Sequence, residues 1–184
     1  NGNTAASATS TGFTGEGEAE AMFAFNFNSE DIPASGPYTY GGVYPASADK
    51  GLTKDQTTYK VELPATQNAT ATSYDPAAYI MVAKPESFET VQTEWIASYR
   101  RATALNKITL TGISEDIASV AITVPEGKYL AGRRYIDVAT GESGEIYFGK
   151  TNTVMVNYAT ALPHTAADVW FTSWGVEVAE GEAV

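Results

Sequence analysis

The sequence predicts an all-β domain, an antiparallel sandwich, and three observations predict it. Apolar and polar residues alternate at period two through most of the chain, as in Tyr59, Val61 and Leu63 around Lys60 and Glu62. Gly or Pro ends these runs at short intervals, for example at Pro64, Gly112 and Pro125. No long helical pattern separates one run from the next, so a parallel sheet with crossover helices is not expected. Side chains on a strand switch faces at every residue, so period two means one dry face and one wet face.

Residues 1–18 are mostly Gly, Ser, Thr and Ala, which reads as a loop or a weakly held edge segment. Phe23, Phe25 and Phe27 then alternate with Ala24 and Asn26, which puts three rings on one buried face. Residues 38–44 read as a short strand broken by Gly41-Gly42, and 48–57 as a polar loop. Residues 59–63 read as a half-buried strand closed by Pro64. Ala77 to Ala83 is continuously apolar, which predicts a strand covered on both sides. Phe88, Val91, Trp95 and Tyr99 recur at spacings of three and four, which predicts a short helix or an irregular segment to about residue 98.

The remainder reads as plain β. The runs are Ile108 to Leu110, Val120 to Val124, Tyr129 to Val138, Ile146 to Phe148, Val154 to Tyr158 and Val169 to Trp174. Gly132, inside the third of these, is expected to mark a bulge or a close backbone approach. Ala139 to Glu142 reads as a turn. About nine extended runs at this spacing match a sandwich.

With 184 residues, 43% hydrophobic and 18% charged, the chain suits one domain spanning 1–184 with a sizeable core. Lys and Arg total 11 against 22 Asp and Glu, a net charge of -11. Nucleic acid and anionic membranes are therefore poor partners, because counterion release needs clustered cations. The dibasic pairs Arg100-Arg101 and Arg133-Arg134 read as solvated positions. With no Cys there is no disulfide and no zinc-thiolate site. No run approaches the ~18 apolar residues of a membrane span. Residue 1 is Asn, so the natural start is expected to have been processed or trimmed.

Three blocks carry a family resemblance: Val43-Tyr44-Pro45-Ala46-Ser47, Val61-Glu62-Leu63-Pro64-Ala65-Thr66-Gln67 and Ile80-Met81-Val82-Ala83-Lys84-Pro85. Each is a short, largely apolar run stopped by a proline. Tyr74-Asp75-Pro76, Tyr99-Arg100-Arg101-Ala102, Ile117-Ala118-Ser119-Val120 and Leu130-Ala131-Gly132 extend the pattern over residues 38–178. In this order they resemble the N-terminal domain of the fimbrillin-like proteins of Bacteroidetes, the Mfa-like and major-fimbrillin group. The resemblance implies a Greek-key, transthyretin-like sandwich that is the N-terminal domain of a longer two-domain subunit. It further implies a lipoprotein at the cell surface, outer membrane or fimbrium, bound to other fimbrial subunits by strand exchange. Segment 1–18 would be the displaceable element. The sequence departs from the family in having no lipobox Cys and no early Trp/Gly-Asp segment, and a second sandwich domain would be expected beyond Val184.

No catalytic, cofactor-binding or metal residue is expected, and no cofactor. His164 is the single His; pairing it with Asp168 on a metal would need a helix that Pro163 opposes. No Gly-x-Ser-x-Gly turn is present to hold a serine nucleophile. Glu16, Glu18 and Glu20 read as a solvated edge. Alternation places Trp170 and Trp174 on one face. Exposed, the two rings would stack on sugars and make the chain a surface module binding host or bacterial glycans or proteins; buried, they are core.

Overall fold

The structure, a computed structural model, describes residues 12–14, 22–53, 57–164 and 167–177. It is all-β, mostly antiparallel, and sandwich-like. The chain divides into two compact units, one of Asn1–Tyr40 with Glu86–Trp95, the other of Gly41–Pro85 with Ile96–Val184.

In the smaller unit β1 (Gly12–Thr14) pairs antiparallel with β2 (Met22–Ala24), Phe13 opposite Phe23. The rest of segment 1–18, with Glu16, Glu18 and Glu20, lies outside the described residues. The expected buried face of Phe23, Phe25 and Phe27 is not formed: the rings are 40%, 47% and 42% exposed. The strand stops at Ala24, so the period-two rule does not extend to Phe25 and Phe27. Phe23→Ala is therefore expected to lower the unfolding free energy by less than about 1 kcal/mol, against about 3–5 for a buried ring. Urea denaturation checks this, and a loss inside the larger range would show that the ring is covered.

The Phe88-to-Tyr99 spacing makes no helix. Residues 89–98 are irregular, and the rings serve a local cluster instead. Tyr40 meets Phe88 edge-on at 5.9 Å and Trp95 at 6.0 Å. The Gln92 N–H donates to the Tyr40 hydroxyl at 2.9 Å, and Trp95 Nε1 donates to Glu86 at 3.1 Å.

β3 (Tyr38–Tyr44) and β7 (Met81–Phe88) contribute residues to both units. β3 runs unbroken through Gly41-Gly42. These glycines serve close approach: a Cβ at Gly41 would collide with the Tyr59 hydroxyl, and one at Gly42 would lie 2.5 Å from that of Tyr99. Burial under this backbone pushes the Tyr59 phenol up to about 12. Ala77 to Ala83 is not one strand, because a 3-10 turn occupies Pro76–Ala78 before β7 begins. Nor does Pro85 stop β7. The strand runs on through it to Phe88, beyond the residues Met81 to Ala83 that pair with β8 (Tyr99–Arg101).

The larger unit holds the core. One sheet has the order β12–β11–β5–β4, from β4 (Asp49–Leu52), β5 (Thr58–Leu63), β11 (Ala131–Asp137) and β12 (Ser143–Thr151). The expected polar loop at 48–57 thus contains a strand, with Ala48 buried ahead of it. A second sheet has β10 (Ile117–Thr123), β13 (Thr153–Leu162) and β6 (Thr66–Ala69), with β6 parallel to β13. β9 (Ala104–Leu110) pairs antiparallel with β14 (Ala167–Ser173).

The chain passes between the first two sheets at Asn152, whose backbone and side chain both bond Val124. Alternation buries the residues expected from it: Tyr59, Val61 and Leu63 on β5, and Val154, Val156 and Tyr158 on β13. Burying one such aliphatic side chain contributes about 1.5–3 kcal/mol. Gly132 is the close approach expected. Its φ is +123°, and a Cβ there would lie 2.7 Å from the Gly149 carbonyl, where the β11–β12 register shifts.

No strand pairing joins β6 to β14. A side chain does: the Gln67 amide, fully buried, donates to the Thr172 carbonyl at 2.8 Å and accepts from the Thr172 N–H at 2.9 Å. One glutamine thus satisfies both backbone groups of a β14 residue and stands in for a backbone neighbour.

Candidate functional site

β10 is the outer strand of its sheet, bonded to β13 on one side. Its register with β13 is regular from Ser119 to Thr123. Ile122 is buried, and Ile117 and Val120 pack partly against the core, which fixes the strand's inner face. Ala118, Ser119, Ala121 and Thr123 are exposed. An outer strand directs alternate N–H and C=O groups away from its neighbour. The sequence Ile-Ala-Ser-Val-Ala-Ile-Thr holds no charge, Pro or Gly, the residues that normally blunt such an edge.

Other edges among the described strands are shorter, charged or interrupted: β6 has four residues, and β1 and β2 three each. β12 is bulged against β11 at three places and carries Glu145 and Lys150. β4 is four residues long, and its Lys50 pairs with Glu62 at 3.2 Å. On β9, Lys107 pairs with Asp168 at 2.8 Å. β8 is three residues long and includes both Arg100 and Arg101. β3 also lacks charge, but Gly41-Gly42 interrupts its side-chain ladder.

His164 sits at the end of this sheet. Its Nδ1 lies 2.8 Å from Asp116 Oδ1, and its backbone N–H donates to the same oxygen at 3.1 Å. The pair ties the entry of β10 to the exit of β13. The side-chain bond, then the backbone bond, holds the exposed Asp116 carboxyl below the usual range. Asp168 does not join His164. It accepts from Lys107 and, at 2.7 Å, from Thr109, and these bonds lower its pKa. Among the described residues no three His, Asp or Glu side chains form a metal-binding group. No helix among them is long and apolar enough to cross a membrane.

Trp170 and Trp174 do not form an exposed pair. Trp170 is half-buried on β14, with Lys107 Nζ 5.3 Å from the centre of its ring. Trp174 is fully buried, and its Nε1 donates to the Gly132 carbonyl at 2.9 Å. β14 ends at Ser173, so alternation does not carry Trp174 to the Trp170 face. Trp174 is a core residue and offers no surface to a sugar.

The dibasic pairs are not simply solvated. Arg100 donates to the Thr140 carbonyl. Arg133 bonds Glu62 at 3.2 Å and lies 4.9 Å from the centre of the Phe148 ring. Arg134 lies 5.2 Å from the centre of the Trp174 ring, and its buried Nε has no hydrogen-bond partner. Burial lowers its pKa.

Arg134 also lines an open cavity of about 360 Å³, with Lys128, Tyr129, Glu145, Ile146 and Lys150. Lys150 Nζ stands 5.4 Å from the centre of the Tyr129 ring. Sequence reasoning missed this cavity. Its cations lie up to 22 positions apart and meet only through strand pairing, so no local motif marks them.

Against protein-family models, curated proteins and solved structures, the chain shows no match.

Proposed function

We propose that the chain is a non-enzymatic fimbrial or cell-surface adhesion subunit that assembles by β-strand addition, with β10 receiving the partner strand. The observation that carries this reading is the edge of β10, seven residues without charge, Pro or Gly, its register with β13 regular from Ser119 to Thr123 after a shift between Ile117 and Ser119. An added strand would bond the outward N–H and C=O groups. The family resemblance of residues 38–178 supports the same reading and adds a location at the outer membrane or fimbrium, carriage as a lipoprotein, and copies of such subunits as partners. The Trp170 and Trp174 version of a glycan-binding module loses its basis with Trp174 in the core.

The test places lysine at two exposed edge positions, Ser119→Lys with Ala121→Lys. Sedimentation over a concentration series and amide exchange along 117–123 compare it with the unaltered protein. Concentration-dependent oligomers with protected β10 amides are expected, abolished by the two lysines while circular dichroism stays unchanged. A protein that stays monomeric at the highest soluble concentration, or that assembles equally well with both lysines, overturns the reading.

A further inference from the structure

We infer that the strand added to β10 is β10 of a second copy of this chain, antiparallel to the first about a two-fold axis at Val120. The inference rests on the strand-addition reading and names the partner for it.

The hydrogen-bond phase of β10 is the first argument. The Val124 N–H donates to the Asn152 carbonyl at 2.9 Å, so these two residues are a bonded pair. Their pairing continues the register that runs from Ser119 opposite Asn157 to Thr123 opposite Thr153. Bonded and unbonded pairs alternate along an antiparallel ladder. Val120 and Ile122 therefore direct their N–H and C=O groups at β13, and Ser119, Ala121 and Thr123 direct theirs outward. A two-fold axis perpendicular to a sheet keeps each side chain on its own face, so it sets one residue opposite its own copy. With that residue Val120, Ser119 faces Ala121 of the second copy, and Ala121 faces Ser119 of the second copy. All four carry outward groups, so each pair can exchange both bonds. This register also overlaps the whole strand, Ile117–Thr123.

The side chains agree with it. Val120 packs against the core yet is only half-buried. At the axis it meets its own copy as an unbonded pair, whose Cα atoms stand about 4.5 Å apart, close enough to cover the remaining apolar surface of both. Ser119 and Ala121, the exposed residues brought opposite each other, are too short to obstruct the approach.

Charge decides where two copies can meet. Each carries a net charge of -11, so they repel over most of their surfaces. Seven consecutive uncharged residues let the two β10 edges meet without setting a carboxylate against a carboxylate on the strands themselves. The pairing is isologous: each edge both receives and is added, and assembly through β10 closes at two copies.

The chain has no Cys, so introduced thiols report on their own positions alone. Ser119→Cys and Ala121→Cys proteins are oxidised with copper–phenanthroline, separately and as an equimolar mixture. Across the mixed pair the Cα atoms lie about 5.5 Å apart, within disulfide reach, and in either variant alone roughly 8–9 Å apart, beyond it. The mixture is expected to give about tenfold more linked dimer than either variant alone. Sedimentation of the unaltered protein is expected to show a monomer–dimer equilibrium that tightens as salt screens the repulsion. Either variant linking alone as well as the mixture would place the axis elsewhere or the strands parallel, and overturn the inference. Oligomers that form while the mixture stays unlinked, or that grow past the dimer, overturn it too, and leave strand addition standing with another donor strand. A protein monomeric at every concentration overturns both.

Discussion

Trp174→Ala is expected to lower the unfolding free energy by about 3–5 kcal/mol, the range for truncating a fully buried large aromatic side chain. Three losses combine. The ring is completely buried in the larger unit's core, so its removal leaves a cavity next to Leu130 and Gly132, to which the residue is bonded. The Gly132 carbonyl loses its indole donor. The Arg134 guanidinium loses the ring it lies over. Trp174→Phe separates these contributions. It keeps most of the apolar volume but removes the Nε1 donor, and the expected cost falls to about 1–3 kcal/mol for an unsatisfied buried acceptor. Urea unfolding of both variants is the measurement. A Trp174→Ala loss below about 1 kcal/mol would place the ring at the surface, where a sugar could reach it.

The second large effect is expected at Gln67. Gln67→Leu keeps the side chain's approximate volume but strips three bonds to Thr172, two with its backbone and one from its hydroxyl. A buried N–H and a buried C=O are then left without partners, each worth about 1–3 kcal/mol. The expected loss is about 2–4 kcal/mol, with faster amide exchange at Thr172. Gln67→Glu is the companion. It retains an oxygen for the Thr172 N–H but sets a carboxylate against the Thr172 carbonyl. A carboxyl buried without a cation has a raised pKa. Its deficit relative to the unaltered protein should therefore shrink in acid, where the carboxyl is protonated and can donate. An unchanged exchange rate at Thr172 in Gln67→Leu would mean that β14 finds another partner for that residue.

These two residues also separate what the sequence can say from what it cannot. Gln67 closes one of the three proline-containing blocks, yet nothing local distinguishes it from any polar residue on a half-exposed strand. Its role exists because Thr172, 105 positions later, presents a bare backbone at the right distance. Trp174 pairs with Trp170 only if alternation is extended past the end of β14. Phe25 and Phe27 share the face of Phe23 only if it is extended past the end of β2. Period-two reasoning holds while a strand lasts, and the point where it ends is set by neighbours rather than by its own residues.

Alone, the sequence determined the all-β class, the inward residues of β5, β10 and β13, the turn at residues 139–142, the close approach at Gly132 and the isolation of His164 from Asp168. These follow from local physics: the two-fold repeat of side chains along a strand, the steric freedom of glycine and the missing donor of proline. The tertiary structure alone decided which strands stand at sheet edges, that β6 runs parallel to β13, that Gln67 fills a backbone position, and that Lys128, Arg134 and Lys150 share a cavity. Each of these joins residues far apart in the chain. The apolar burial and hydrogen bonding achieved there must outweigh the entropy of closing the loops between them, a balance that no short window of sequence contains.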